Sequence, residues 1–392
     1  MPSDALKFWN AGLRQGLRAL EERNQLRSLA EIRGVNLCSN DYLGLAENSV
    51  LKQAVADAIQ SASRVGGTGS RLLSGQTESW RELEEEFAKF AGTESALFFT
   101  TGCAANLGLL SSIAGKDDII FSDAANHASL IDGMRLSGAR KIIYPHLNLV
   151  DLEAALRREA APGGRKIIVT ESVFSMDGDI APLKKILALA EKYGAALIVD
   201  EAHATAVHGP RGRGIAAQEG IVSDLLAVIH TCGKALGCAG AFVCGSAVLQ
   251  EHLINHARTF IFSTALPPYF AEQIRAALRI AESADQQRNK LHELSATLIR
   301  DLRDAGFDTS GSSSQIVPVV IGGNEEALDA AEHLQREGFA VRAIRPPTVP
   351  PGKSRLRLSL TSNIPHAELT RLVQSLIAWR ARQQSAVAVK RA

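Results

Sequence analysis

The chain has 392 residues, 46% of them hydrophobic and 22% charged, with a formal net charge of +1. That length can bury a large core over about two to three domains, and a near-neutral balance lacks the basic footprint of a duplex-binding protein. Five cysteines with no C-x-x-C pair argue against a disulfide framework or a metal cage and point to reduced thiols and a cytoplasmic setting.

In chain order, the N-terminal run "MPSDALKFWNAGLRQGLRALEERNQL" is amphipathic. It carries Asp4, Glu21 and Glu22 and has no apolar h-region, so it reads as a structural helix rather than a targeting segment. Short apolar runs then alternate with helical patterns. Buried strands are predicted at 96–101, 119–123, 141–145, 166–172, 196–202, 225–231 and 239–245. Amphipathic helices are predicted at 104–114, 127–138, 151–160 and 182–193. This alternation predicts an α/β fold, a mostly parallel sheet flanked by helices. Ligands of such sheets sit at the carboxyl ends of the strands. From about Ala265 to Gly306 one long helical stretch is predicted. Strands at 315–323, 339–347 and 355–361 and helices near 325–337 and 365–382 complete a smaller C-terminal α+β domain. The last ten residues read as a frayed tail. The expected organisation is an N-terminal helical segment (1–39), a large domain (40–285) and a small domain (286–392). No run approaches the ~18 apolar residues of a membrane span.

One strand ends in "LIVDEAHATAVHG" (197–209), and Asp-Glu-Ala-His suggests the magnesium-holding acidic pair of an ATPase. That reading needs a phosphate cradle of the form G-x-x-x-x-G-K-[ST]. "GGTGSRLLSG" (66–75) has no Gly-Lys-Ser/Thr. "HTCGKALG" (230–237) has Gly233-Lys234 followed by Ala235, and it lies downstream of the acidic pair. The helicase reading fails on motif and on order.

The same residues suit different chemistry. Asp200 ends one strand and Lys234 follows the next, so both would share one carboxyl edge. A lysine that forms an imine and a carboxylate that pairs with a pyridinium nitrogen are two fittings that pyridoxal 5'-phosphate needs. "TTGCAAN" (100–106) offers a helix N-terminus to a phosphate. His127 opens another helix and could lie over a ring. "RLRL" (355–358) offers guanidinium forks for a carboxylate. Each residue alone has a plainer reading. A Gly-Lys is more often a surface lysine, a strand-end Asp a cap, and a lone His a structural group.

Together the motifs resemble the α-oxoamine synthases, fold-type I pyridoxal-phosphate transferases. These join an amino acid to an acyl thioester with loss of carbon dioxide. The resemblance rests on "SNDYLGL", "GGTGSRLLSG", "NHASLIDG", "ESVFSMDGDIAPL", "DEAHATAVHG", "TCGKALG", "FIFSTALPP" and "RPPTVPPGKSRLRLSLT", which run in order through nearly the whole chain. It implies that Lys234 carries the cofactor and acts as the base, that Asp200 faces the ring nitrogen and that His127 stacks on the ring. It implies cofactor contacts from Gly102, Cys103, Ser175, His203 and Thr231, with Glu171 supporting the same region. Thr264 would reach the phosphate of a neighbouring subunit, in a homodimer with shared active sites lined by the "GGTGSRLLSG" loop. Substrate contacts are implied for Asn40, Arg357 and Thr348. Arg27 is a loose candidate on the acyl side, with a solvated helix face as its rival. Arg357 is chosen over Arg355 on the motif alone. His146, His208 and His230 are left as structural. Within the family, "IRPPTVP…RLRL" is most similar to members that take L-alanine and a pimeloyl thioester, on coenzyme A or acyl carrier protein. Members that join glycine to acetyl- or succinyl-CoA, or serine to a long acyl-CoA, are the rivals. A catalytically silent protein of the same fold is the rival of another class. Cys103 departs from the family's usual aromatic residue.

Overall fold

Seven continuously apolar runs form strands, and a strand sends successive side chains to opposite faces of one sheet. The computed structural model describes residues 2–159 and 163–391, with the backbone alone for 386–391. A two-residue strand, β1 (Val35–Asn36), precedes the main sheet. That sheet holds β2 (Ser95–Phe99), β3 (Ile119–Asp123), β4 (Arg140–Tyr144), β5 (Lys166–Glu171), β6 (Ala195–Asp200), β7 (Ala227–Thr231) and β8 (Ala241–Gly245). Their spatial order is β2-β8-β7-β6-β5-β3-β4, and only β8 runs against the others.

One face carries Leu97, Phe99, Ile120, Val169, Ile198, Ile229 and Val243 against the helices Gly102–Ile113, Ala128–Ser137 and Ala247–His256. The other carries Phe98, Phe121, Ile168, Val199, Val228 and Phe242 against the helices Glu78–Ala91 and Tyr269–Glu282. Both faces are apolar because both are covered, so the runs read as continuous rather than alternating.

The smaller sheet holds β9 (Ile316–Gly322), β11 (Ala343–Ile344) and β12 (Ser354–Ser359), antiparallel in the order β11-β12-β9. Between β9 and β11, β10 (Phe339–Ala340) pairs in parallel with β1. This pairing ties the N-terminal segment to the C-terminal part of the chain. Two residues are too few for any periodicity, so the sequence gives no sign of it.

Four expectations need correcting. The strand expected at 339–347 is two short strands, β10 and β11, in separate sheets. The stretch after Ala265 is two helices, Tyr269–Glu282 and Asp285–Asp304. The buried Arg288 side chain ends the first by donating to the Ala281 and Glu282 carbonyls and holds the start of the second through Asp285. The last helix does not fray near 382 but spans His366–Arg391. Arg27 lies beyond the first helix (Asp4–Glu22), not on a helix face. That helix buries none of its residues and leaves Leu6, Trp9, Leu13 and Leu17 exposed along one side. Among the described residues no helix is long and apolar enough to cross a membrane, and no cluster of His, Cys, Asp and Glu could hold a metal ion.

Candidate active site

The carboxyl ends of β2, β5, β6 and β7 open into a cavity of about 420 Å³. Gly102, Cys103, His127, Asp200, His203, Thr231 and Lys234 all line it, as do Asn106, Ser129 and Glu171. Ladder register brings them together, because Glu171 sits opposite Asp200 on the neighbouring strand, and Asp200 opposite Ile229.

The helix Gly102–Ile113 points its N-terminus at this cavity. Thr101 caps it by accepting from the Ala104 amide at 2.9 Å. The Gly102 and Cys103 amides, at the first turn, have no acceptor within the helix. A Cβ at Gly102 would meet Thr231 Cγ2 at 3.3 Å, so glycine keeps the backbone open there.

Asp200 is 4% exposed, and its two oxygens accept from Asn106 Nδ2 at 2.8 Å and the Ala202 amide at 2.9 Å. Its carboxylate is thus fixed in direction. Asn106 also donates to Ser129 Oγ at 2.9 Å, and Ser129 Oγ lies 2.7 Å from His127 Nδ1. The Glu171 carboxylate accepts from the His127 amide at 2.6 Å. His127 therefore stands at the cavity with its backbone and its ring both anchored. Two buried polar atoms here find no partner among the described residues, Thr231 Oγ1 and Asn106 Oδ1. An orphaned buried acceptor or hydroxyl is rare and marks a place that something else satisfies.

Lys234 Nζ lies 2.8 Å from His203 Nε2. Burial holds the Lys234 ammonium below its ordinary range, against the opposing charges of Asp200 and Glu171. Burial also pulls His203 well below the usual histidine range, helped by the Lys234 and Arg357 cations, so its ring is neutral. Glu171 is pushed up by burial and by the Asp200 charge. A partly desolvated amine beside a fixed carboxylate is the environment in which a lysine becomes a nucleophile or a proton acceptor.

Beyond the lining, Arg357 on β12 donates from Nε to the Ser175 carbonyl at 2.5 Å and from Nη1 to Asn40 Oδ1 at 3.1 Å and Ser359 Oγ at 2.6 Å. Its Nη2 has no partner among the described residues, and it forms no ion pair there. Arg355, two residues earlier, is 4% exposed and paired with Asp177 at 2.5 Å. The strand therefore carries one neutralised guanidinium and one whose charge is open.

Other expected residues lie elsewhere. Ser175 is buried and not part of the cavity lining, and its carbonyl holds Arg357. Arg27 Nη2 donates to Thr348 Oγ1 at 3.1 Å, so these two acyl-side candidates meet each other, away from the cavity lining. Thr264 is exposed outside its own chain's cavity and bridges to Ser70 of the glycine-rich loop. His208 and His230 are buried against Gln315 and Thr205. His146 sits between Asp123 and Asp179, 2.7 Å from each. Sequence reasoning missed Asn106 and Tyr42. Asn106 could have been found, since it lies four residues after Gly102 and so on the same helix face. Nothing in the sequence pattern singles out Tyr42.

Comparison with known proteins gives the chain its relatives. The family model described as aminotransferase class I and II matches residues 32–376. An 8-amino-7-oxononanoate synthase of Geobacter sulfurreducens is 47% identical over 369 residues, covering 93% of this chain and 94% of that protein. A serine palmitoyltransferase from S. paucimobilis, solved with bound PLP, superposes with a TM-score of 0.87 at 30% identity, covering 97% of this chain and 99% of the other. The 8-amino-7-oxononanoate synthase of Francisella tularensis superposes with a TM-score of 0.79 at 29% identity, covering 90% and 99%.

Proposed function

The chain belongs to the class I and II aminotransferase family, in its α-oxoamine synthase branch, and from that premise we propose the reaction it performs and the residues that perform it. It is a pyridoxal-phosphate enzyme that condenses L-alanine with a pimeloyl thioester. A bond forms between the alanine Cα and the acyl carbonyl, the thiol carrier leaves, and carbon dioxide is lost from the former carboxylate. The product is 8-amino-7-oxononanoate, a step of biotin biosynthesis. The observation that carries this reading is the meeting of the Lys234 amine and the doubly held Asp200 carboxylate in one cavity, at the ends of neighbouring strands.

The residues present fit the cofactor. Lys234 would hold it through its amine, and Asp200 would face its ring nitrogen. The open Gly102 and Cys103 amides suit its phosphate, and the orphaned Thr231 Oγ1 offers a further contact. Its ring supplies an electron sink for charge that develops at the substrate Cα. Asp200, fixed in direction by Asn106 and the Ala202 amide, would pair with the ring nitrogen's proton and so strengthen that sink. Arg357, whose Nη2 has no other partner among the described residues, grips the alanine carboxylate, and Asn40 and Ser359 hold that guanidinium in place. Lys234, held low by burial, takes the Cα proton and later returns one. His127 closes one side of the cavity.

The active unit in this reading is a homodimer. The exposed Val65, Leu72, Leu73 and Phe262 surround the Ser70–Thr264 bridge and support an apolar contact there. From that contact Thr264 would reach the other subunit's site. The pairing of β1 with β10 supports siding the 1–39 segment with the small domain (286–392), apart from the large one (40–285). The acyl carrier is coenzyme A or acyl carrier protein, and the setting is the cytoplasm.

Thiol release from the cofactor-loaded enzyme tests the reading. Alanine with pimeloyl-CoA is compared with glycine plus acetyl- or succinyl-CoA, and with serine plus palmitoyl-CoA, using Lys234→Ala as the blank. Release confined to the alanine–pimeloyl pair and absent from the blank is expected. Release with another pair alone would keep the chemistry and overturn the substrates.

A further inference from the structure

Tyr42 has no part in the reaction as described so far, yet its side chain is fully buried beside the catalytic lysine's partner. Its hydroxyl lies 2.6 Å from His203 Nδ1 and 3.1 Å from Asn40 Oδ1. His203 Nε2 lies 2.8 Å from Lys234 Nζ, and Asn40 Oδ1 accepts from Arg357 Nη1 at 3.1 Å. One unbroken hydrogen-bonded chain thus joins the guanidinium assigned to the substrate carboxylate with the amine assigned to the substrate proton.

Counting protons along this chain leaves one arrangement when Lys234 is an ammonium and opens a second, reversed one when Lys234 is a neutral amine with a lone pair to offer. Asn40 Oδ1 only accepts, the tyrosine hydroxyl has one proton to give, and the neutral imidazole carries one N–H. When Lys234 is an ammonium it donates to Nε2. His203 then carries its proton on Nδ1 and donates to Tyr42, which donates to Asn40. In the reversed arrangement, available only to the neutral amine, Nε2–H donates to the Lys234 lone pair and Nδ1 accepts from Tyr42, whose proton has turned away from Asn40. The charges facing this chain are Arg357 beside the Tyr42 hydroxyl, together with the uncharged Gln315 side chain; Arg357, Lys234 and His127 around His203; and Asp200, Glu171 and Arg357 around Lys234.

We propose that Tyr42 is a positioning residue that selects the tautomer of His203, and so ties the protonation of Lys234 to the hydrogen bonding of the Asn40–Arg357 carboxylate clamp. The proposal rests on the roles given above to Lys234 and Arg357. It makes Tyr42 the element through which an occupied clamp and the proton acceptor sense each other, by reciprocal coupling.

The test is Tyr42→Phe in the full chain, which keeps the ring and deletes only the hydroxyl. The rate of pyridoxal phosphate loading, followed by its visible band across a pH series, reads the neutral fraction of Lys234. Without the Tyr42 oxygen, the ammonium arrangement leaves a buried Nδ1–H unpaired and the neutral one only a bare ring nitrogen, and an orphaned donor is the costlier of the two. The loading midpoint is therefore expected to fall by about 0.5–1 pH unit, the worth of one such hydrogen bond. Propionate, an amine-free carboxylate, is expected to raise the midpoint in the wild type and to raise it by less than half as much in the variant. A purely structural Tyr42 lowers thermal stability but leaves both midpoints in place, and that result overturns the proposal. Should Tyr42→Phe not fold, nitrogen NMR of histidine-labelled wild type reads the tautomer directly, with the His203 signals identified by their loss in His203→Gln. A tautomer that stays the same across the loading midpoint also overturns it. A wild type that forms no band at all refutes the Lys234 assignment instead, and one that loads but releases no thiol refutes the substrate reading alone.

Discussion

Two arginines stand on one face of β12, and lysine substitution should separate them sharply. Arg357 spends Nε and Nη1 on Ser175, Asn40 and Ser359 and keeps Nη2 open. Lysine at 357 has three donors on one nitrogen and no fork, so it can serve the protein partners or a carboxylate but not both in the same geometry. At least one charge-assisted hydrogen bond to the substrate is lost. At roughly 1.5–3 kcal/mol, that predicts an about 10- to 150-fold fall in kcat/KM for alanine. The KM for pimeloyl-CoA should hardly move. Arg355 instead neutralises Asp177 and donates to the Lys353 and Met176 carbonyls. Arg355→Lys should unfold earlier, by roughly 1–3 kcal/mol for the buried groups left unpaired, with the alanine KM changed only about two-fold. Initial rates of thiol release at saturating pimeloyl-CoA, with urea unfolding of both variants alongside, give the comparison. If Arg355→Lys raises the alanine KM while Arg357→Lys leaves it alone, the assignment from the unpaired guanidinium is refuted.

Three further outcomes follow from groups around the site. Asn at position 200 carries no charge to pair with a protonated ring nitrogen, so Asp200→Asn should weaken cofactor retention about 10- to 150-fold, the worth of one charge-assisted hydrogen bond, measured by dialysis against absorbance. His146 is drawn down by burial but carried up to about 10 by its hydrogen bonds to Asp123 and Asp179. Its folded value exceeds its unfolded value, so its contribution is full below about pH 6.5 and is lost as pH rises through 10. His146→Gln should thus cost roughly 1.5–3 kcal/mol in urea unfolding at pH 6 and much less at pH 11. Glu201 is pushed up to about 7 by burial despite the donors around it. Its stabilising contribution is present below about pH 4.5 and lost as pH rises through 7, so the stability gap between wild type and Glu201→Gln should narrow over that window, with cofactor loading unchanged.

The large sheet was legible because its strands are short apolar runs bounded by polar ends and separated by amphipathic helices. Each of the seven runs becomes a strand, one with the expected bounds (119–123) and the others shifted by one or two residues at one or both ends. The break between Glu282 and Asp285 was not legible, because it depends on where the buried Arg288 guanidinium reaches. Nor was the pairing of β1 with β10, which joins residues some 300 positions apart over two rungs. Lys234, Asp200 and His127 were readable as a set, since each sits at a strand end or helix start on one edge. The difference between Arg355 and Arg357 was not readable, because it depends on Asp177 in a distant loop. Tyr42 and Asn106 escaped for the same reason. Their importance lies in partners 161 and 94 positions away.

The adjacent carboxylates of Asp200 and Glu201 answer the question that their tetrapeptide raises. A strand turns successive side chains to opposite sides. Asp200 shares the parity of Ile198, so it faces the helix Gly102–Ile113 and meets Asn106 at the cavity. Glu201 goes the other way and is completely buried. It accepts from Ser172 Oγ at 2.6 Å and from the Ile215 and Ala216 amides at 3.1 and 2.6 Å. A Cβ at Gly214 would come within 3 Å of its carboxylate, so that segment is packed directly onto it. Two carboxylates that diverge in this way cannot close on one magnesium ion. One is left to face a ligand at the strand ends, and the other pins the loop that follows. The pairing that looks like a metal site in one dimension is divided by the pleat into a site residue and a structural one.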